Sequence, residues 1–386
     1  MRSTPAPSRS GPRTHRLRAA VVGTGAIARG SHLPALHQLA AEGELDVVAA
    51  VDIDDDAVRR FCADGAIPRP YTDLGRMLDE QRPDLVTVCT PPTLHRAQTV
   101  AALRAGAWVW CEKPPTPSLA EYDAIEAAEG AHCGPYAAVV FQHRFGSGAR
   151  HVRDLLATGE VGRPLVAHCQ TTWHRDAAYY AVPWRGRWAT EGGGPAMGHG
   201  IHQMDLLLDL LGPWTEVRAM AGRLVHDVET EDVSTALVRF ANGALATVVN
   251  SVLSPDEVSR IRVDCERATL ELTHLYGYGN ADWTVTPARD VPAELAASWR
   301  DFGADVPSSH LAQLRALVAS MRVGERPRGS GPDGRTSLEL ISALYKSAFT
   351  DTTVRAGEIG PGDPYHTVLH GGAPGWAPAQ EATAHE

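Results

Sequence analysis

The sequence predicts an α/β protein. An N-terminal Rossmann doubly wound parallel sheet precedes a C-terminal α/β domain with a large open, mainly antiparallel sheet. Three observations predict it. Up to residue 143, short unbroken apolar runs alternate with helical patterns, as expected of parallel strands covered on both faces. From Arg144 onward the apolar period becomes two and the strands follow one another through short turns. A glycine-bearing loop, Gly23-Thr-Gly-Ala-Ile-Ala28, joins the first strand to the first helix. The 386 residues suit about two such domains.

Each element has its own reason. Residues 17–22 read as a buried strand, and 26–39 as a helix bent at Pro34, whose ring cannot continue the hydrogen-bond ladder. A strand at 47–51 and a helix at 55–63 follow. Residues 85–90 form an unbroken apolar strand, 94–105 a helix, 108–111 a strand, 119–128 a helix and 137–142 a last strand. The second half begins with a helix at 148–158. Alternating patterns then mark strands at 165–173, 216–225, 233–240, 244–253, 258–264 and 268–272. Asn242-Gly243 is the turn between two of them. Helical patterns return at 310–321 and 338–354, with 324–334 a polar loop between them. The domains expected are a disordered segment at 1–16, the Rossmann domain at 17–143, a substrate and oligomerisation domain at 144–355 and an irregular tail at 356–386. The final helices are free to pack back on the Rossmann domain.

Composition narrows the function. Apolar residues make up 44% and the net charge is -10. That balance speaks against nucleic acid or an anionic membrane as partner, and no run is long and apolar enough to span a bilayer. The six cysteines include no CxxC pair, which suits reduced thiols in a cytoplasmic protein. The basic N-terminal stretch is followed by an apolar run broken at Gly23 and Gly25, so a secretory signal is not expected.

The loop after the first strand is a dinucleotide site. Gly23 permits the tight turn. Gly25 lets the backbone approach a pyrophosphate on free N–H groups at the helix start, and Ala28 allows close helix packing. Thr24, Ala26 and Ile27 complete the contact surface. Asp52, at the end of the second strand, is placed to grip ribose hydroxyls. It would repel a 2′-phosphate and no Arg follows it immediately, so NAD is favoured over NADP.

Two further segments carry reactive groups. Lys113 lies just past the strand 108–111, at the sheet edge that faces the ligand crevice. Its cation can stabilise an alkoxide. Glu191-Gly-Gly-Gly-Pro-Ala-Met-Gly-His-Gly-Ile-His-Gln-Met-Asp205 sets three glycines before His199 and His202, at the start of an apolar helix. An imidazole there can exchange a hydroxyl proton near neutral pH, and the glycines would let a ligand come close. His199, His202 and Asp205 also have the spacing of metal ligands, though no metal is expected. Upstream, Arg175, Tyr179, Tyr180, Trp184 and Arg185 offer aromatic faces and guanidinium forks. These suit a sugar ring, or a phosphate or carboxylate attached to one.

Taken together, these residues resemble the Gfo/Idh/MocA family, the glucose–fructose oxidoreductase and inositol dehydrogenase group. The likeness runs from Leu17 to Tyr365. It rests on the Gly23 loop, Thr90-Pro-Pro-Thr-Leu-His95, Ala105-Gly106 leading into Glu112-Lys-Pro114, Arg144-Phe145, Gly159-Glu-Val-Gly162, and Gly192-Gly-Gly through His202 to Asp205. The resemblance implies oxidation or reduction of a secondary alcohol on a sugar, nucleotide sugar or cyclitol, and a homodimer or homotetramer. It implies Lys113 as catalytic lysine and His202 as acid/base. Thr90, Pro91, His95 and Glu112, with Arg144, would line the cofactor side, and His199 and Asp205 would join the substrate residues. The segment from Tyr179 to Gly186 looks like members that oxidise UDP-N-acetyl-hexuronates. Two departures stand out. The family often has Asp where this chain has Gly198, so His199 is a candidate to share the proton relay. Pro92 stands where Asn is usual. Two other readings accompany the dehydrogenase: a net non-redox enzyme that cleaves a glycoside through transient oxidation, and a non-catalytic NAD-binding regulator.

Overall fold

The computed structural model describes residues 15–378. The segment expected to be disordered lies, up to residue 14, outside the described residues, and so do residues 379–386 of the tail. The first half runs β1 (Leu17–Val22), α1 (Leu33–Ala41), β2 (Leu45–Val51), α2 (Asp55–Asp64), β3 (Pro70–Tyr71), α3 (Leu74–Gln81), β4 (Leu85–Val88), α4 (Pro92–Arg104), β5 (Trp108–Cys111), α5 (Leu119–Glu126) and β6 (Ala137–Val139). The strands pair in parallel in the order β3-β2-β1-β4-β5-β6. Chain direction across the sheet reverses at β1, between β2 and β4, which opens a crevice at the strands' carboxyl ends. Two apolar layers, one on each face, explain the unbroken apolar strands.

The second half contains α6 (Ser147–Thr158), β7 (Pro164–His174), α7 (Ala177–Tyr180), α8 (Trp188–Glu191), α9 (Ile201–Leu211), β8 (Trp214–Gly222), β9 (Val233–Phe240), β10 (Leu245–Ser251), β11 (Leu253–Cys265), β12 (Ala268–His274), β13 (Trp283–Pro287), α10 (Ala293–Trp299), α11 (His310–Val323), α12 (Gly331–Thr350), β14 (Val354–Arg355) and α13 (Pro364–Thr367). Eight of the strands form a sheet in the order β13-β12-β11-β7-β10-β9-β8-β14. Only the β7–β10 pair is parallel. One face packs on α6, α9 and α12 through the largest apolar core. The other face exposes alternate residues such as Leu237 and Leu245. Of the final helices, α11 packs into the Rossmann layer through Leu314, Leu317, Val318 and Met321, while α12 belongs to the core of the second sheet.

Departures from the sequence reading have local causes. The first helix is not simply bent at Pro34: a π-helical turn at Ala28–His32 lies just upstream and widens the ladder where Pro34 lacks a donor. α3 was missed, although Asp73 caps it by accepting from the Arg76 N–H at 2.7 Å. α12 starts inside the segment read as a loop, because Ser330 and Pro332 open a helix there. Asn242-Gly243 does make the hairpin, with Gly243 at φ +93° and the Phe240 N–H donating to Ala244 O at 2.9 Å.

Candidate active site

The cofactor loop is shaped as its residues require. Gly23 has φ +88°, and a Cβ there would lie 2.9 Å from the Cys89 carbonyl at the end of the neighbouring strand. A Cβ on Gly25 would meet nothing within 4 Å, so the backbone faces open space at a helix start. Asp52 accepts from the Thr24 N–H and hydroxyl, both at 2.8 Å, and from the Asp54 N–H at 3.2 Å. Burial works to raise its pKa, but these bonds outweigh it and hold the carboxyl below its ordinary value. A glycine cradle open to the outside and an ionised carboxylate at the second strand fit NAD.

The segment carrying Lys113 is braced from behind. Glu112 is buried and accepts from the Lys113 N–H at 3.1 Å, with His32 and His310 at 2.8 and 3.2 Å. Burial would raise its pKa, but the two imidazoles keep it ionised well below the usual carboxylate range. These three side chains are the one cluster with metal-ligand spacing among the described residues, and each imidazole is accounted for as a partner of the carboxylate. The ring nitrogens of His95 lie 2.6 and 2.9 Å from the carbonyls of Thr90 and Pro114, tying the loops after β4 and β5 together. The side chains of His95 and Glu112, expected to touch cofactor, instead spend their polar atoms fixing the Lys113 loop. Thr90, half-buried, donates to Gln98 at 2.6 Å, and Pro91 is exposed at the start of α4.

Lys113 reaches across the cleft. Its Nζ donates to the Gly198 carbonyl at 3.0 Å, 85 residues away in sequence. Burial lowers its pKa. Lys113, His199 and His202 line one cavity of about 610 Å³ with Arg175, Tyr179 and Tyr276. Trp184 and Arg185 complete its far wall. His199 and His202 sit on a π-helical turn (Ala196–Gly200) and on α9. Burial first, then Lys113, presses His202 well below an ordinary imidazole, and burial with nearby cations takes His199 down to about 3.

The glycine run has another purpose than the one its sequence suggests. A Cβ on Gly193 would lie 2.6 Å from the Tyr345 hydroxyl, and one on Gly194 would overlap the Glu231 carbonyl. Glu231 is fully buried. It accepts from the Gly194 and Ala196 N–H groups, both at 3.0 Å, and from Tyr345 at 2.9 Å. Burial raises its pKa to about 7. The glycines make room for an internal carboxylate, and no sequence pattern flagged Glu231.

Three expected contacts are corrected. Arg144 is buried and donates to both oxygens of Asp205, at 2.6 and 2.7 Å, and to Asp333 at 2.8 Å. It is a bolt between segments and has no donor aimed at a cofactor. Asp205, held by Arg144 and Ser337, takes no part in lining the cavity and cannot join His199 and His202 as a ligand. Tyr180 packs against His226, ring centres 4.5 Å apart, and lines a separate hollow. The sequence reading also missed His143, whose ring lies 5.1 Å from that of His202. Its proximity depends on β6 and α9 meeting in space, which no local pattern announces.

On the substrate wall, Tyr179 lies between two guanidinium groups, Arg175 at 5.3 Å and Arg185 at 3.9 Å from its ring centre. Arg175 pairs with Glu257 at 3.2 Å and Arg185 with Glu191 at 2.9 Å. Each carboxylate is itself pinned by a backbone N–H, Glu257 by His174 at 2.8 Å and Glu191 by Gly186 at 2.5 Å.

Comparison with known proteins agrees with this geometry. A family model described as "Oxidoreductase family, NAD-binding Rossmann fold" matches residues 17–134, and one for the "GFO/IDH/MocA C-terminal domain" matches residues 149–271. The D-glucoside 3-dehydrogenase of Escherichia coli (strain K12) is 26% identical, over 88% of this chain and 97% of its own length. The myo-inositol 2-dehydrogenase of Thermotoga maritima is also 26% identical, over 81% of this chain and 91% of its own. The crystal structure of the WlbA dehydrogenase from Chromobacterium violaceum, in complex with NADH and UDP-GlcNAcA, is similar with a TM-score of 0.77 and 26% identity. It covers 90% of this chain and 99% of that one. Among the described residues no helix is long and apolar enough to cross a membrane.

Proposed function

The chain belongs to the Gfo/Idh/MocA family of NAD-dependent oxidoreductases acting on CH–OH groups, and from that premise we propose that it oxidises a ring hydroxyl of a neutral sugar or glycoside, with Lys113 and His202 acting on that hydroxyl. One observation carries the reading: an ammonium and an imidazole from distant segments line one cavity beside the carboxyl edge of the parallel sheet. When bound, NAD supplies the hydride acceptor. The protein supplies the rest. Lys113, held by the Gly198 carbonyl, donates to the reacting oxygen and stabilises it as negative charge develops. His202, neutral because it is buried beside that cation, accepts the hydroxyl proton. His199 packs against Trp173, ring centres 4.9 Å apart, and borders the substrate.

The choice of a neutral substrate rests on the wall. Its aromatic faces suit sugar C–H groups, and Arg175 and Arg185 already face anchored carboxylates. A uronate or phosphate would have to displace Glu257 or Glu191 to gain its ion pair. The glucoside and inositol dehydrogenases among the relatives support this choice, while the UDP-GlcNAcA complex is the natural counter-case for the test. The exposed face of the large sheet, with Leu237 and Leu245, supports a homo-oligomer.

The test is turnover with NAD on methyl glucoside, myo-inositol and glucuronate. Lys113→Ala and His202→Ala are each expected to lose about 10²- to 10⁴-fold in kcat, with NAD affinity nearly unchanged. Full activity in either variant would remove that residue's assignment. NADH accumulating one for one with product would separate net oxidation from a transient-oxidation route, in which the cofactor cycles without accumulating.

A further inference from the structure

We propose that Gly198 and His199 form the subsite for the hydroxyl next to the one oxidised, so that the protein selects sugars and cyclitols carrying a vicinal diol. The inference rests on the reading of Lys113 and His202 as the groups that meet the reacting hydroxyl, and it names a substrate class for that same cavity.

Gly198 is small without a reason inside the protein. It stands in the π-helical turn Ala196–Gly200, where glycine is a weaker choice than alanine. Its neighbours are glycine because a side chain would collide. An added Cβ on Gly200 would overlap the Asn250 amide, and Gly193 and Gly194 are closed off by Tyr345 and Glu231. An added Cβ on Gly198 would meet nothing within 4 Å, and its φ lies outside the left-handed region. Gly198 lines the cavity with Lys113, His199 and His202. The ammonium is at hand, since Lys113 Nζ donates to the Gly198 carbonyl at 3.0 Å. Glycine beside open space on a cavity wall leaves the backbone bare for the close approach of a ligand.

His199 supplies the polar contact there. Its Nδ1 is buried without a partner, and its Nε2 makes no hydrogen bond among the described residues. Buried polar atoms in that state call for an explanation. The ring is well seated. Trp173 meets it edge-on, centres 4.9 Å apart at 70°, and Trp173 is itself fixed by donating from Nε1 to Ser259 Oγ at 3.0 Å. A neutral imidazole has one donor and one acceptor, which match a hydroxyl in either sense. Other polar groups on these walls already hold partners. Arg175 pairs with Glu257 and Arg185 with Glu191, Thr190 donates to the Trp184 carbonyl, and Tyr276 accepts from Gln142.

His199 and His202 stand three residues apart across the junction of the π-turn with α9. Helical residues at that separation are neighbours on one face, and both line the one cavity. With His202 on the reacting oxygen, His199 meets an adjacent oxygen of the same sugar, and the bare backbone at Gly198 admits the carbon that carries it.

The test uses the NAD-bound protein with myo-inositol, methyl glucoside and the 2-, 3-, 4- and 6-deoxy methyl glucosides, the product identifying the oxidised carbon. In the wild type, removing one of the hydroxyls next to that carbon should lower kcat/KM about 10-fold, the worth of one hydrogen bond. His199→Phe keeps a ring against Trp173 but has no nitrogen. It should lose about 10-fold on the parent sugar, mainly through KM, and nothing further on that deoxy sugar. The 6-deoxy sugar should fall in step with the parent. Gly198→Val, which fills the open space, should keep the wild-type Tm and bind the parent sugar about 10-fold more weakly. Calorimetry of the NADH complex with each sugar reads the affinities without turnover. A folded His199→Phe that discriminates among the deoxy sugars as the wild type does would overturn the proposal. So would an equal loss on every sugar, or a Gly198→Val protein with wild-type affinity. If His199→Phe does not fold, the wild-type deoxy series and Gly198→Val decide. A wild type that neither binds nor oxidises any of these sugars would overturn the dehydrogenase reading, whereas turnover with unchanged discrimination in His199→Phe would overturn the subsite alone.

Discussion

Two glycine-rich segments precede helices in this protein, and they hold glycine for opposite reasons. At Gly25 an added Cβ would meet nothing within 4 Å. At Gly194 it would overlap the backbone of Glu231 and lie 2.6 Å from its carboxylate. Both backbones offer N–H groups to an anion at a helix start. In the first segment the anion we propose comes from outside, as the cofactor pyrophosphate. In the second the acceptor is built in, as the buried Glu231 carboxyl that anchors the turn carrying His199 and leading into α9. A glycine run therefore reports close approach without saying by what, and open space beside the missing Cβ distinguishes ligand from core.

The paired substitution tests that contrast with the largest expected effect. Gly194→Ala should destabilise the fold by roughly 3 kcal/mol, the upper range for forced overpacking, read as a lowered Tm with or without cofactor. Gly25→Val should leave the Tm of the cofactor-free protein nearly unchanged and weaken NAD about 10-fold or more, close to 1.4 kcal/mol, by calorimetry. If the two variants exchanged phenotypes, the contrast would be wrong.

Glu231 sharpens it through pH. Its pKa rises from 4.5 to about 7 in the folded protein, so between those values the native state holds a proton that the unfolded chain has lost. That contribution is fully present below pH 4.5 and is lost as pH rises through about 7. It amounts to about 3 kcal/mol. Thermal unfolding across this window should show a falling contribution in the wild type and a flatter profile in Glu231→Gln. Equal slopes in the two proteins would assign the pH response elsewhere.

The smallest expected effect lies on the substrate wall. Glu257→Gln frees Arg175, and the pair is partly exposed, so the ratio of kcat/KM for glucuronate over methyl glucoside should rise about 2- to 5-fold. An unchanged ratio would mean that Arg175 does not meet the substituent that distinguishes them.

Much of the fold was legible because its signals are local. Unbroken apolar strands such as 108–111 announced a sheet covered on both faces, and period two with Asn242-Gly243 announced the antiparallel half. The Gly23 loop and Asp52 were legible as a candidate cofactor site for the same reason. What failed was long-range. Arg144 and Asp205 looked like ligand contacts because a charged side chain near a motif attracts that reading, whereas their partners are each other and Asp333, 189 residues from Arg144. Glu231 and His143 were invisible because their importance comes only from which backbone or ring they meet. The π-turn before α9 has no periodic signature.

The most direct measurement is a structure of the protein with NADH and the sugar that it oxidises. The account predicts Lys113 Nζ and a ring nitrogen of His202 both within hydrogen-bond reach, about 3.2 Å, of one substrate oxygen, with the pyrophosphate against Gly25. A sugar oxygen that met neither group, or met only one while the other faced away, would contradict it.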